Sequence, residues 1–275
     1  MPTLTARTGE IAYTDAGTGR PIVLLHATLH DRHDFDAVVD RLARTHRVIA
    51  VDWPGHGESG PAAGITGPLL ADVLEDVVDA LGLTELVLIG NSVGGSAAAR
   101  LAITRPALVA GLVLVNTGGF VPNTVFTRAF CRLMGTPRLT RLIMPWFVRA
   151  YLRARTPGDR RIAERARARA RTDAGVATAA SLWRSFATPE YDLRGDAHRI
   201  VAPTLIVWGD RDPSLSLRMG RATHGAIPGS GLAVLHTGHV VFSSDPQGFL
   251  AFVEPFLQRV DAASAERCRG WRGRY

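Results

Sequence analysis

The sequence predicts an α/β fold: a mostly parallel, doubly wound sheet of about eight strands, interrupted by one inserted helical segment. Three observations lead there. Short β-rich apolar runs alternate with amphipathic helical stretches, several of those runs are apolar on consecutive positions, and one long stretch has no strand character at all. Alternation implies crossover connections and therefore parallel strands covered by helices on both faces. Unbroken apolarity suits strands that are buried on both sides.

The elements follow in order. Thr8-Gly9-Glu10 separates two short runs in the first fifteen residues and reads as an antiparallel hairpin. Strand-like runs come next at 22–25, 48–51, 86–89, 112–115, 205–208 and 232–235. Phe35, Val38, Val39 and Leu42 stand at helical spacing, with Asp34 placed to cap that helix. Leu70, Val73, Leu74, Val77, Val78 and Leu81 keep the spacing for three turns. Phe249, Phe252, Val253 and Phe256 repeat it near the end, where Pro255 is expected to kink or shorten the helix.

A length of 275 residues fits one α/β domain with a modest insertion, or two small domains. Hydrophobic residues at 46% and charged residues at 21% exclude wholesale disorder. No apolar run approaches the roughly 18 residues of a membrane span, and the first ten residues lack a basic start followed by an apolar core. A soluble, cytoplasmic chain with no membrane partner is expected. Cys131 and Cys268 make neither a disulfide framework nor a thiolate zinc site. All 32 basic residues are arginine, which excludes Schiff-base, P-loop and lysine-base chemistry.

The net charge of +7 is unevenly spread. Residues 119–190 hold fourteen arginines and four acids, a net of +10, and the remainder carries a net of −3. The expected organisation is a main domain at 1–118 and 191–260, and a helical, Arg-rich cap at 119–190. The cap lies over the strand ends, where open α/β sheets bind ligands. A loose basic tail follows at 261–275, with Arg267, Arg269, Arg272 and Arg274. No recognition motif accompanies the arginines, so no nucleic-acid partner is expected.

The chemistry starts at Gly90-Asn91-Ser92-Val93-Gly94-Gly95, which follows a strand-like run and opens a helix. This is G-x-S-x-G in the strand–turn–helix context the motif requires. A serine on so sharp a turn needs neighbours without bulk, and the start of the helix favours negative charge developing beside it. With Leu24-Leu25-His26, Asp52-Trp53-Pro54-Gly55-His56-Gly57-Glu58-Ser59, Trp208-Gly209-Asp210-Arg211-Asp212 and Gly238-His239, the chain resembles the α/β-hydrolase fold superfamily over nearly its whole length.

The resemblance implies a Ser, Asp, His order along the chain. His239 matches the base position and Asp212 the acid of the Gly-x-x-Asp pattern, leaving Asp210 as a turn residue. The oxyanion donors are then the backbone N–H groups of Val93 and Thr28, with Ala27 standing where the family usually has glycine. Serine at position 92 argues against the carboxylate attack of epoxide hydrolases and haloalkane dehalogenases.

His26, His30, Trp146 and Trp183 are candidates for the pocket wall. The run His30-Asp31-Arg32-His33-Asp34 reads as a pocket-lining loop rather than a metal site. No cofactor is expected.

The sequence therefore points to a cofactor-independent serine hydrolase acting on a carboxylic ester, thioester or related carbonyl compound. Acyl transfer, C–C bond hydrolysis, haloperoxidase-like chemistry and a receptor-like binding role on the same fold stay open. The cap arginines either face solvent or steer a small anionic substrate or a carrier-bound acyl group.

Overall fold

Eight strands are set by the consecutive apolar runs: β1 (Thr3–Ala6), β2 (Gly9–Ala16), β3 (Pro21–Leu25), β4 (Arg47–Val51), β5 (Leu86–Asn91), β6 (Val109–Val115), β7 (Thr204–Gly209) and β8 (Gly231–Leu235). Ten α-helices accompany them among the described residues: α1 (Asp36–Leu42), α2 (Gly67–Ala80), α3 (Val93–Thr104), α4 (Val125–Met134), α5 (Pro137–Leu152), α6 (Pro157–Arg169), α7 (Asp173–Ser185), α8 (Leu217–Ala226), α9 (Val241–Ser244) and α10 (Pro246–Arg272). The structure is a computed structural model that describes the backbone of residues 2–272 and the side chains of residues 2–266.

The strands form one sheet in the order β1-β2-β4-β3-β5-β6-β7-β8. β1 and β2 pair antiparallel, as does β2 with β4, and every later pairing is parallel. Side chains alternate between the two faces, and both faces are covered. Val23, Leu25, Leu86, Leu88, Leu112 and Leu114 point into one core with α2 and α3. Ile22, Leu24, Val87, Ile89, Val113 and Val115 point into the other with α1, α9 and α10. This is why the strands read as unbroken apolar runs.

The chain crosses from β4 back over β3 to β5, so the strand order reverses at β3. A crevice opens at such a reversal, beyond the carboxyl ends of the strands. Register places those ends side by side: Leu25 opposite Gly90, Asn91 opposite Val115, Val115 opposite Val207 and Gly209 opposite Leu235. Between β6 and β7 lie the helices α4–α7, whose Met144, Val148, Tyr151, Ile162 and Ala166 join the second core.

Three local expectations need correction. The helix after Phe35 is preceded by a 3₁₀ turn, Arg32–Phe35, which Asp31 caps; Asp34 is drawn instead to the buried imidazole of His30. α10 runs through Pro255 without ending there. Pro255 and Ala251, whose carbonyl loses its partner to the proline, both face water, which satisfies that carbonyl. The same helix continues to Arg272, so the stretch expected to be a loose tail from residue 261 is helical that far. The side chains of Arg267, Arg269, Arg272 and Arg274 lie outside the described residues, as does that of Cys268.

Candidate active site

Ser92 sits between β5 and α3 with φ 56° and ψ −116°, a conformation that side-chain-bearing residues seldom adopt. Three backbone bonds hold it there. Its N–H donates to Val115 O at 3.0 Å, and its carbonyl accepts from Ser96 N and Gly118 N, each at 3.1 Å. Glycine at 94 is a matter of space, since a Cβ there would lie 2.3 Å from the carbonyl oxygen of Leu25. That approach brings the start of α3 against the end of β3. The Ser92 side chain is only partly buried, and its hydroxyl makes no hydrogen bond within the described residues.

His239 follows β8 and precedes α9. Its Nδ1 is 2.5 Å from Oδ2 of Asp212, a residue in the loop after β7. Both side chains are buried. Asp212 also accepts from Asn116 Nδ2 at 2.9 Å, Ser214 N at 2.8 Å and Ser214 Oγ at 2.5 Å. Burial pushes its pKa up, but the pairing with His239 and the two Ser214 donors outweigh it and hold the carboxyl below its ordinary value. Asp210 points elsewhere, to the exposed ring of His236 at 3.1 Å.

The loop after β3 is fixed by two buried histidines. Nδ1 of His26 donates to Ala27 O at 2.7 Å, and its Nε2 accepts from Trp53 N at 3.0 Å. Nε2 of His56 accepts from Leu29 N at 3.1 Å, and its Nδ1 donates to Pro54 O at 3.0 Å. Each ring is thus used as the neutral tautomer. Burial pushes His26 down to about 3 and His56 well below its ordinary value. Ala27 does not have a positive φ; the strained residue of this loop is Leu29, at φ 69°.

A cavity of about 400 Å³ opens over this crevice. Of the site residues singled out from sequence, Ala27, Thr28, Ser92, His239 and Trp183 line it. Val93 and Asp212 are buried behind the wall, Val93 directly after the serine and Asp212 behind His239. His26, His30 and Trp146 do not line it: the two histidines are buried and Trp146 is 68% exposed. The wall is largely apolar, with Phe126, Phe130, Met144, Phe147 and Phe186. Among the described residues it contains no arginine, and its one carboxylate is that of Asp192, paired with Arg194 at 2.6 Å. Arg165 and Arg169 serve elsewhere, on Asp31, Asp34 and the carbonyl of His30. Among the described residues, no group of three or more His, Cys, Asp or Glu side chains is placed to hold a metal ion.

Sequence reading missed three contributors. Asn116, at φ 37° just past β6, donates to Asp212 and accepts from Gly209 N at 2.8 Å. Ser214 donates to Asp212 twice. Tyr151, on α5, lines the cavity, packs edge-on against His239 with centroids 5.1 Å apart, and accepts His239 N at its carbonyl. A polar residue at a strand end was the available signal for Asn116; nothing local marks the other two.

The reversal at β3, the elbow after β5 and the helices inserted after β6 together define an alpha/beta hydrolase. The chain belongs to the alpha/beta hydrolase fold family, which it matches over residues 20–246. A 2-hydroxy-6-oxononadienedioate/2-hydroxy-6-oxononatrienedioate hydrolase of Burkholderia vietnamiensis is 30% identical over 267 residues, 91% of each chain. An uncharacterized protein of Mycobacterium tuberculosis is 29% identical over 97% of this chain and 84% of its own. Among solved structures, a thermophilic esterase from Thermogutta terrifontis superposes with a TM-score of 0.79 at 26% identity, covering 94% of this chain and 98% of that one.

Proposed function

We propose that the chain is a cofactor-independent serine hydrolase of carboxylic esters or thioesters whose acyl group is uncharged and largely apolar. The observation that carries this is the buried Asp212–His239 pair at 2.5 Å, beside a strained, partly exposed Ser92 in the same cavity.

With Nδ1–H donated to Asp212, the free Nε2 of His239 is the base. It takes the Ser92 proton as Oγ bonds to the substrate carbonyl carbon, and the carbonyl electron pair moves onto oxygen. The N–H groups of Thr28 and Val93 hold that oxyanion, aided by the N-terminus of α3. As the tetrahedral intermediate collapses, His239 passes the proton to the departing alcohol or thiol. Water then attacks the acyl-serine with His239 again as base, releasing the acid and restoring Ser92. The helices at 119–190 act as a cap that closes the crevice.

The absence of arginine from the wall supports an uncharged acyl group. A second reading, cleavage of a C–C bond beside a ketone by the same residues, is favoured by the likeness to the Burkholderia hydrolase. Steady-state kinetics on neutral p-nitrophenyl esters, their carboxylate-bearing analogues and a vinylogous 1,5-diketone separate the two. Neutral esters are expected to give the highest kcat/KM. Turnover of the diketone alone would select the second reading, and ligand retention without turnover would contradict both.

A further inference from the structure

Six of the nine large hydrophobic side chains exposed among the described residues lie within 22 residues of sequence: Val125, Phe126, Phe130, Leu133, Leu142 and Trp146. Four are on α4 and two on α5. Phe126 is 88% exposed and Trp146 68%, although a globular surface seldom leaves rings this open in one region. Phe126 and Phe130 also belong to the cavity wall, so the apolar face runs into the mouth.

The helices that carry this face are basic, and the acid that reaches them, Asp173, pairs with Arg141. Residues 120–158 carry seven arginines and no acid. Arg132, Arg138 and Arg149 are exposed and form no ion pair among the described residues. A second copy of the chain docking through the same face would set these arginines against each other.

We propose that the α4–α5 face binds the surface of an anionic phospholipid bilayer and takes the acyl substrate from it. Aromatic and aliphatic side chains interleaved with arginine, on helices too polar to insert fully, are the make-up of an element that lies in the bilayer interface. Phosphate groups meet the arginines and the acyl region meets the rings. No helix among the described residues is long and apolar enough to cross a membrane, so the contact is peripheral. Delivery of the acyl substrate rests on the hydrolase reading given above; binding to the bilayer does not.

The experiment is flotation of the full chain with vesicles of phosphatidylcholine alone or containing phosphatidylglycerol, at low and high salt. Wild type and Ser92→Ala are expected to float equally, only with phosphatidylglycerol, and less at high salt. Equal flotation keeps the result separate from the fate of the hydrolase reading. Leu142→Glu/Trp146→Glu changes two exposed side chains outside the cavity wall. It is expected to lower binding by about tenfold or more, with an unchanged far-ultraviolet circular dichroism spectrum and unchanged kcat/KM on a short soluble ester. Wild type that floats with neither vesicle, or equally with both, overturns the proposal. So does a double variant that floats as well as wild type, or a wild-type dimer that buries Trp146.

Discussion

Nε2 of His30 lies 2.8 Å from the hydroxyl of Tyr151, tying the loop after β3 to helix α5. His30 is itself bonded to buried Asp34, which Arg165 of α6 reaches as well. Burial, with Asp34 and Asp212 nearby, pushes the Tyr151 phenol well above its ordinary pKa, so it stays a hydroxyl. Tyr151→Phe removes that hydroxyl and leaves a buried imidazole nitrogen unpaired. A stability loss of about 1–3 kcal/mol is expected by urea denaturation, with kcat within about tenfold of wild type because the carbonyl that holds His239 N remains. A large fall in kcat without a loss of stability would contradict this.

Asp212 and Asp210 are two residues apart and differ in every partner. Asp212→Asn is expected to lower kcat by about 10⁴, as loss of the orienting acid does in such sites. Asp210→Asn breaks an exposed pair with His236 and is expected to change stability by less than about 1 kcal/mol, with kcat unchanged. Kinetics of the two variants decide the assignment; equal losses would overturn it.

Two windows of acid sensitivity follow from the buried groups. His26, with a folded pKa of about 3 against an ordinary 6.5, binds its proton in the unfolded chain first. Its contribution is complete above pH 6.5 and lost as pH falls toward 3, about 2 kcal/mol being gone by pH 5. His56 adds to this in the same direction. Asp212 has a lowered pKa, so its contribution stands above the ordinary carboxylate value and fails only below it. Melting temperature is therefore expected to fall between pH 6.5 and 5, and again below pH 4. A flat profile from pH 7 to 5 would refute the neutral-histidine account of the β3 loop.

Ala27 occupies the place where the family commonly has glycine, yet its backbone φ is not positive. Ala27→Gly is therefore expected to leave kcat within about twofold and to cost roughly 0.4–1 kcal/mol through the entropy of the unfolded chain. A large gain in kcat would show that the alanine distorts the oxyanion loop.

Much of this was legible in the sequence because its causes are local. Continuous apolar runs gave the strands, since both sheet faces are covered, and the glycines around Ser92 marked a turn too tight for side chains. What escaped depends on partners far along the chain. His30 meets Tyr151 across 121 residues and Asn116 meets Asp212 across 96, and no periodicity encodes either. Asp34 looked like a helix cap by position, but its carboxylate is bonded instead to His30 and, from 131 residues away, to Arg165. Trp146 and Trp183 are both aromatic residues of the inserted helices. Only the packing of those helices decides that Trp183 lines the cavity and Trp146 faces water.

Intact mass after incubation with a fluorophosphonate, on wild type and Ser92→Ala, tests the central claim most directly. A single phosphonyl adduct on wild type and none on the variant is the expected result, since only a serine activated by His239 and facing the oxyanion donors reacts with such a reagent. Folded wild type that stays unlabelled, or a variant labelled to the same extent, would contradict the account.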